Sequence, residues 1–176
     1  SSLKHQNIIS IYDFGIVGAQ PYLVMDCPDG KNLSEVLDEV GHLALDRAVH
    51  MFRQTCMGLE HAHKNGILHR DLKPSNLVLI KGEDGSELVK IVDFGIAKVL
   101  PNATKEQTRL TQTGDIFGSP LYMSPEQCQA KPLDNRSDIY SLGCLMYESL
   151  AGVAPLRGDT AYDTMTMHVS QTPRSF

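Results

Sequence analysis

Between positions 69 and 76 the chain reads His69-Arg70-Asp71-Leu72-Lys73-Pro74-Ser75-Asn76, so a carboxylate, an ammonium and a side-chain amide fall within one short stretch. Asp93-Phe94-Gly95 and then Ser124-Pro125-Glu126 follow. Carboxylate and amide oxygens are hard donors that can take a proton or hold a magnesium-class cation, and a lysine is a compact positive charge for an anion. An isolated Asp or Lys is more often a solvated loop residue; here the order and spacing of the whole set carry the weight. Softer chemistry is not indicated. Cys27, Cys56, Cys128 and Cys144 lie far apart with no CxxC pair, which argues against a zinc site or a disulfide framework and fits a reducing compartment. His61 and His63 are two apart, hence on different faces of a helix, and are read as ordinary residues without a shared metal.

The pattern H-R-D-x-K-P-x-N, then D-F-G directly after Lys90-Ile91-Val92, then S-P-E where A-P-E is usual, resembles the protein kinase family over nearly the whole chain. Met123-Ser124-Pro125-Glu126-Gln127, with Thr111-Gln112-Thr113 ahead of Gly118-Ser119, most resembles bacterial Ser/Thr kinases of the eukaryotic type. The resemblance implies an α+β, protein kinase-like fold. Residues 1–25 would end the amino-terminal lobe, 26–31 form the hinge and 32–176 the helical carboxyl-terminal lobe, truncated. It also implies transfer of the γ-phosphate of ATP to Ser/Thr hydroxyls of protein substrates, with Mg2+, or Mn2+ in its place. That reaction asks mainly for positioning and charge neutralisation. Asp71 would accept or orient the substrate hydroxyl proton, Lys73 would reach the transferring phosphate, and Asn76 and Asp93 would hold the metal. A second Asp-Phe-Gly, at positions 13–15, precedes the catalytic loop, falls where the family turns between two strands, and is read as coincidence.

By the same resemblance Met25 is the gatekeeper and the Asp26 carbonyl accepts from adenine. Val78 and Leu33 make the apolar floor. Pro28 falls where the family donates a backbone N–H, which proline lacks, so one hinge bond of about 0.5–1.5 kcal/mol is absent. Ile11, His69 and Phe94 match a spine joining the lobes, and Asp138 matches the helix residue that anchors the catalytic loop. Arg70, Thr111 and Thr113 are the regulatory set, a phosphothreonine pairing with the arginine; Ser119 is assigned to substrate. The glycine-rich loop and strand lysine are expected ahead of Ser1, so this chain alone is expected to be inactive. Glu126 is expected to lack its arginine. The rival reading, a non-catalytic pseudokinase or scaffold, draws on Pro28.

Positioning these residues requires particular elements. Ile8, Ile9 and Ile11 with Tyr22, Leu23, Val24 and Met25 predict a strand pair. Leu33, Val36, Leu37 and Val40 predict a short helix ending at Gly41, and the stretch from Asp46 to Asn65 a longer one. Strands at 76–80 and 88–92 flank a polar turn. Residues 98–118 read as a long, threonine-rich loop, a place where function concentrates. A helix capped by Ser137 and ending at Gly152 is apolar on most faces and predicted to be central. The 176 residues, 41% hydrophobic with a net charge of -5, suit one globular unit and offer no basic footprint for nucleic acid. No run is long enough to span a bilayer, and a cytoplasmic setting is expected.

Overall fold

The computed structural model describes residues 3–18, 20–94 and 119–175. Strands β1 (Ile11–Val17) and β2 (Gln20–Met25) form an antiparallel hairpin. β3 (Lys31–Asn32), β4 (Leu77–Lys81) and β5 (Glu87–Ile91) form a second antiparallel sheet in that order. Helices α1 (Leu33–Val40) and α2 (Leu45–Lys64) separate β3 from β4; α3 (Pro125–Cys128), α4 (Asn135–Ala151) and α5 (Ala161–Ser170) follow β5. The content is the mixed helix and strand of a kinase-like α+β fold.

The predicted hairpin needs correction at its start. Ile8 and Ile9 are buried and belong to the other sheet: the Ile9 N–H donates to the Ile91 carbonyl and the Ile91 N–H to the Asn7 carbonyl, both at 2.9 Å. Asn7 fastens this junction, its Nδ2 donating to Gln54 Oε1 and to the Val89 carbonyl at 2.9 Å each. A single apolar run thus serves two sheets, which local periodicity cannot divide. β1 therefore contains Asp13-Phe14-Gly15, so the second Asp-Phe-Gly lies in a strand and not in a turn; the chain reverses at Gly18 (φ 64°). Phe14 is 68% exposed there.

α1 starts where its sequence says it should, with Asn32 and Glu35 forming a reciprocal capping box, and it ends at Gly41 in positive φ. α2 lays Met51, Phe52, Thr55, Leu59 and Ala62 on the core. It grips β5 through a two-pronged Arg47–Glu87 pair (2.7 and 3.1 Å) and through Gln54, whose amide accepts from Val89 N–H and donates to the Glu87 carbonyl. Gly30 is required just before β3, since a Cβ there would lie 2.3 Å from the Leu79 carbonyl oxygen.

α4 departs from its predicted character. Asp134, not Ser137, is the N-cap, and the buried face carries Ser137, Asp138, Ser141 and Ser149 beside Leu142, Cys144 and Leu145. Ile139 (52%) and Met146 (38%) are exposed. Burying small polar groups in place of Ile is costly unless they find partners, and the partners of Ser137, Asp138 and Ser141 are what build the site. α5 was not foreseen, although Thr160 and Asp163 form a capping box legible as T-x-x-D.

Candidate active site

The hairpin register brings the loop of residues 69–76 to Asp93. Leu77 pairs with Ile91, and the Val92 N–H donates to the Asn76 carbonyl at 3.0 Å, so the start of β4 and the end of β5 hold Asn76 and Asp93 next to each other. Pro74–Asn76 form a 3-10 turn that enters β4. Asn76 is 3% exposed, and its Nδ2 donates to the Asp71 carbonyl at 2.8 Å. That bond fixes the amide so that Oδ1, touched only by the Ser75 hydroxyl at 3.4 Å, is the atom left for a ligand. Lys73 Nζ donates to Asp71 Oδ2 at 2.7 Å, with both side chains about one-third exposed (31% and 36%). Two carboxylates, an amide oxygen and an ammonium therefore share one end of the sheet.

The backbone around Asp71 is held from beneath. Arg70 has φ 67° and Asp93 φ 57°, left-handed values that are costly for residues with a Cβ and persist where neighbours impose them. On α4, the buried Asp138 carboxylate accepts from the His69 N–H and the Arg70 N–H at 2.8 Å each, as the resemblance implied. His63 Nε2 also reaches it at 2.7 Å. Here the reading of His63 as an ordinary residue falls short: its spacing excluded a shared metal with His61 but could not show a partner 75 positions away.

His69 is fully buried, and burial, partly opposed by Asp138, lowers its pKa below the usual 6.5. The neutral ring is satisfied on both sides. Nε2–H donates to the Val92 carbonyl at 3.0 Å, and Nδ1 accepts from the Asp71 N–H at 3.3 Å. Its ring lies against Phe94, centroids 4.8 Å apart. Of the three predicted spine residues, His69 and Phe94 thus touch; Ile11 is 38% exposed on β1.

The nucleotide residues are more dispersed. Met25 ends β2 and is exposed; the Asp26 carboxylate accepts from the Ser10 N–H and the Tyr12 hydroxyl, which lowers its pKa. β3 pairs Asn32 with Val78, which brings Leu33 near the floor position. Leu33 has no exposed surface, however, so it supports the floor from within the core while half-buried Val78 is the surface residue. Pro28 lies between β2 and β3. A hollow of about 800 Å³ between α2 and α4, lined by Arg53, Cys56, Met57, His63 and Ile139 among others, includes none of the residues expected to act on a nucleotide.

The segment beyond Ser119 is anchored on α4 as well. Ser119 precedes a 3-10 turn at Pro120–Tyr122. Ser141 Oγ donates to the Tyr122 carbonyl at 2.6 Å, and the Ser137 hydroxyl donates to Glu126 Oε1 at 2.5 Å. No arginine pairs with Glu126 among the described residues, but the Ser137 hydroxyl serves it: burial raises its pKa, while hydrogen bonds from Ser137, its own N–H and Ser124 lower it, and the net shift is downward. Thr111 and Thr113 lie outside the described residues.

The protein kinase domain model matches residues 1–176. The chain is 36% identical over 177 residues to serine/threonine-protein kinase PknB of Mycobacterium leprae, covering 98% of this chain and 27% of that protein. It is 37% identical to PknB of Mycolicibacterium smegmatis with the same coverage, and 38% identical over 175 residues to a probable PknB of Corynebacterium glutamicum (97% and 26%). It spans about a quarter of the length of these curated relatives. The chain belongs to the protein kinase domain family.

Proposed function

We propose that the protein is a Ser/Thr kinase that transfers the γ-phosphate of ATP to hydroxyls of protein substrates, the activity named for its relatives. The observation that carries this is the joint placement of Asp71, Lys73, Asn76 and Asp93 at one end of the β4–β5 hairpin on a backbone clamped by Asp138. Asn76 Oδ1 and the exposed Asp93 carboxylate are hard oxygen donors and fit magnesium; bound there with ATP, the ion supplies neutralisation of phosphate charge. Lys73, drawn to Asp71 at rest, is near enough to exchange that carboxylate for a phosphate oxygen. Asp71 then faces the incoming hydroxyl as proton acceptor, held in place by its own N–H and carbonyl bonds to His69 and Asn76. Met25, Asp26 and Val78 would meet the adenine, with Leu33 behind and one hinge bond missing at Pro28. Residues 1–25, 26–31 and 32–176 would divide as lobe, hinge and lobe.

Arg70 is exposed and forms no ion pair among the described residues, which supports its role as receptor for phosphate on Thr111 or Thr113. No helix among the described residues is long and apolar enough to cross a membrane. We place the chemistry in the cytoplasm, where ATP is available and four unpaired cysteines are at ease. The test is transfer of labelled phosphate from Mg-ATP to a generic basic protein by the full-length gene product. Incorporation into serine and threonine is expected; nucleotide binding without any transfer would favour the scaffold reading.

A further inference from the structure

Arg70 occupies a left-handed backbone conformation immediately before Asp71, and its peptide group is held on two sides. Its N–H is taken by Asp138. Its carbonyl accepts from Gln127 Nε2 at 2.6 Å, across 57 positions of sequence. Gln127 is committed at its other end too. Within the short turn of α3 its Oε1 accepts from the Ser124 N–H at 2.9 Å, while its own N–H donates to Ser124 Oγ at 3.3 Å. One amide thus closes a capping box with its oxygen and reaches the loop before Asp71 with its nitrogen. No other side chain at that spot does both: a glutamate keeps the cap and cannot donate, and an apolar residue does neither.

The turn that carries Gln127 is itself fixed to α4 through Ser137 and Ser141, and α4 also carries Asp138. Two segments anchored separately on one helix are therefore joined directly at their tips. We infer that Gln127 is a positioning residue that couples the 119–128 segment, beside the expected protein-substrate site at Ser119, to the peptide leading into Asp71. A shift of the segment is felt at the Arg70 carbonyl and so at the orientation of the Asp71 backbone. Gln127 touches neither nucleotide nor metal ligands, so its effect belongs on turnover and not on nucleotide affinity.

The kinetic arm rests on the phosphotransfer reading; the structural arm does not. Gln127→Glu and Gln127→Met are compared with wild type in the full-length gene product. Both variants are expected to speed amide hydrogen exchange in residues 69–73, leaving α2 unchanged, because both lose the donor to Arg70. Only Gln127→Met should also lower the thermal midpoint, because only it loses the cap. In Gln127→Glu, kcat should fall by about threefold to tenfold, the value of one such bond, with KM for ATP unchanged. Wild-type exchange at 69–73 in both variants overturns the coupling whatever the kinetics. Accelerated exchange in a protein whose wild type transfers no phosphate supports the coupling and retires the kinase reading instead.

Discussion

Asp71 and Asp93 are both carboxylates at one end of one hairpin, yet their surroundings assign them different work. Asp71 is tied by side chain to Lys73 and by backbone to His69 and Asn76, so it is an oriented group. Asp93 is exposed, strained in φ and held next to Asn76 by the Val92–Asn76 backbone bond, which suits the ligand role proposed for it. In the full-length gene product, Asp71→Asn should lower kcat by about 100-fold or more while leaving the Kd for Mg-ATP nearly unchanged. Asp93→Asn should weaken Mg-ATP binding and leave metal-free ATP binding alone. Turnover together with nucleotide titration, with and without magnesium, separates the two. Equal effects of both substitutions on both quantities would contradict the division of roles.

Among the elements, α4 carries a buried face that is as much polar as apolar. Ser137, Ser141 and Asp138 are satisfied by the segment after Ser119 and by the loop before Asp71, so the helix acts as a polar spine between two irregular stretches. Asp138 accepts from two backbone N–H groups and from His63 while 1% exposed. Asp138→Ala would leave these donors buried without an acceptor. A loss of about 3–5 kcal/mol of stability is expected, since each buried donor left without an acceptor costs about 1–3 kcal/mol. Urea unfolding of this chain measures it, and a loss below about 1 kcal/mol would mean that water replaces the carboxylate easily.

For the molecule as a whole, pH is the lever the structure offers, and phosphorylation is the one proposed beside it. Burial lowers the pKa of His69, of His168 and of His5, so each binds a proton more readily when unfolded. The stability they contribute is full above the ordinary value of 6.5 and declines as pH falls below it. The thermal midpoint should therefore drop between about pH 7.5 and pH 5.5, before most carboxylates titrate. His69→Phe should flatten that slope without abolishing it, since the other two histidines remain. A midpoint that rises on acidification would refute the assignment. The second lever is charge, and it rests on the proposed function: phosphate on Thr111 or Thr113 would offer about -1.5 to -2 charges to exposed Arg70. Mass spectrometry after incubation with ATP should find it there, and the Thr111→Ala, Thr113→Ala double variant should lose most of its activity. Full activity in that variant would exclude the mechanism.

What the sequence determined by itself was whatever depends on neighbours along the chain. The end of α1 at Gly41, the stop of α2 at Asn65-Gly66 and the pairing of β4 with β5 are local matters, and they were legible. The motif order put Asp71, Lys73 and Asn76 just before one strand and Asp93 just after the next, and an antiparallel hairpin then had little choice but to bring its two ends together. Asp138 was legible only by resemblance, since nothing in a helix pattern marks an aspartate as an anchor. Only the tertiary structure decided what depends on distant partners. It moved Ile8 and Ile9 to the sheet of β5, gave His63 and Glu126 their partners, turned Ile139 outward and Ser137 inward on α4, and set Gln127 against Arg70. A hydrogen bond between residues tens of positions apart leaves no period in the sequence, because its geometry exists only once both segments have been packed against a third.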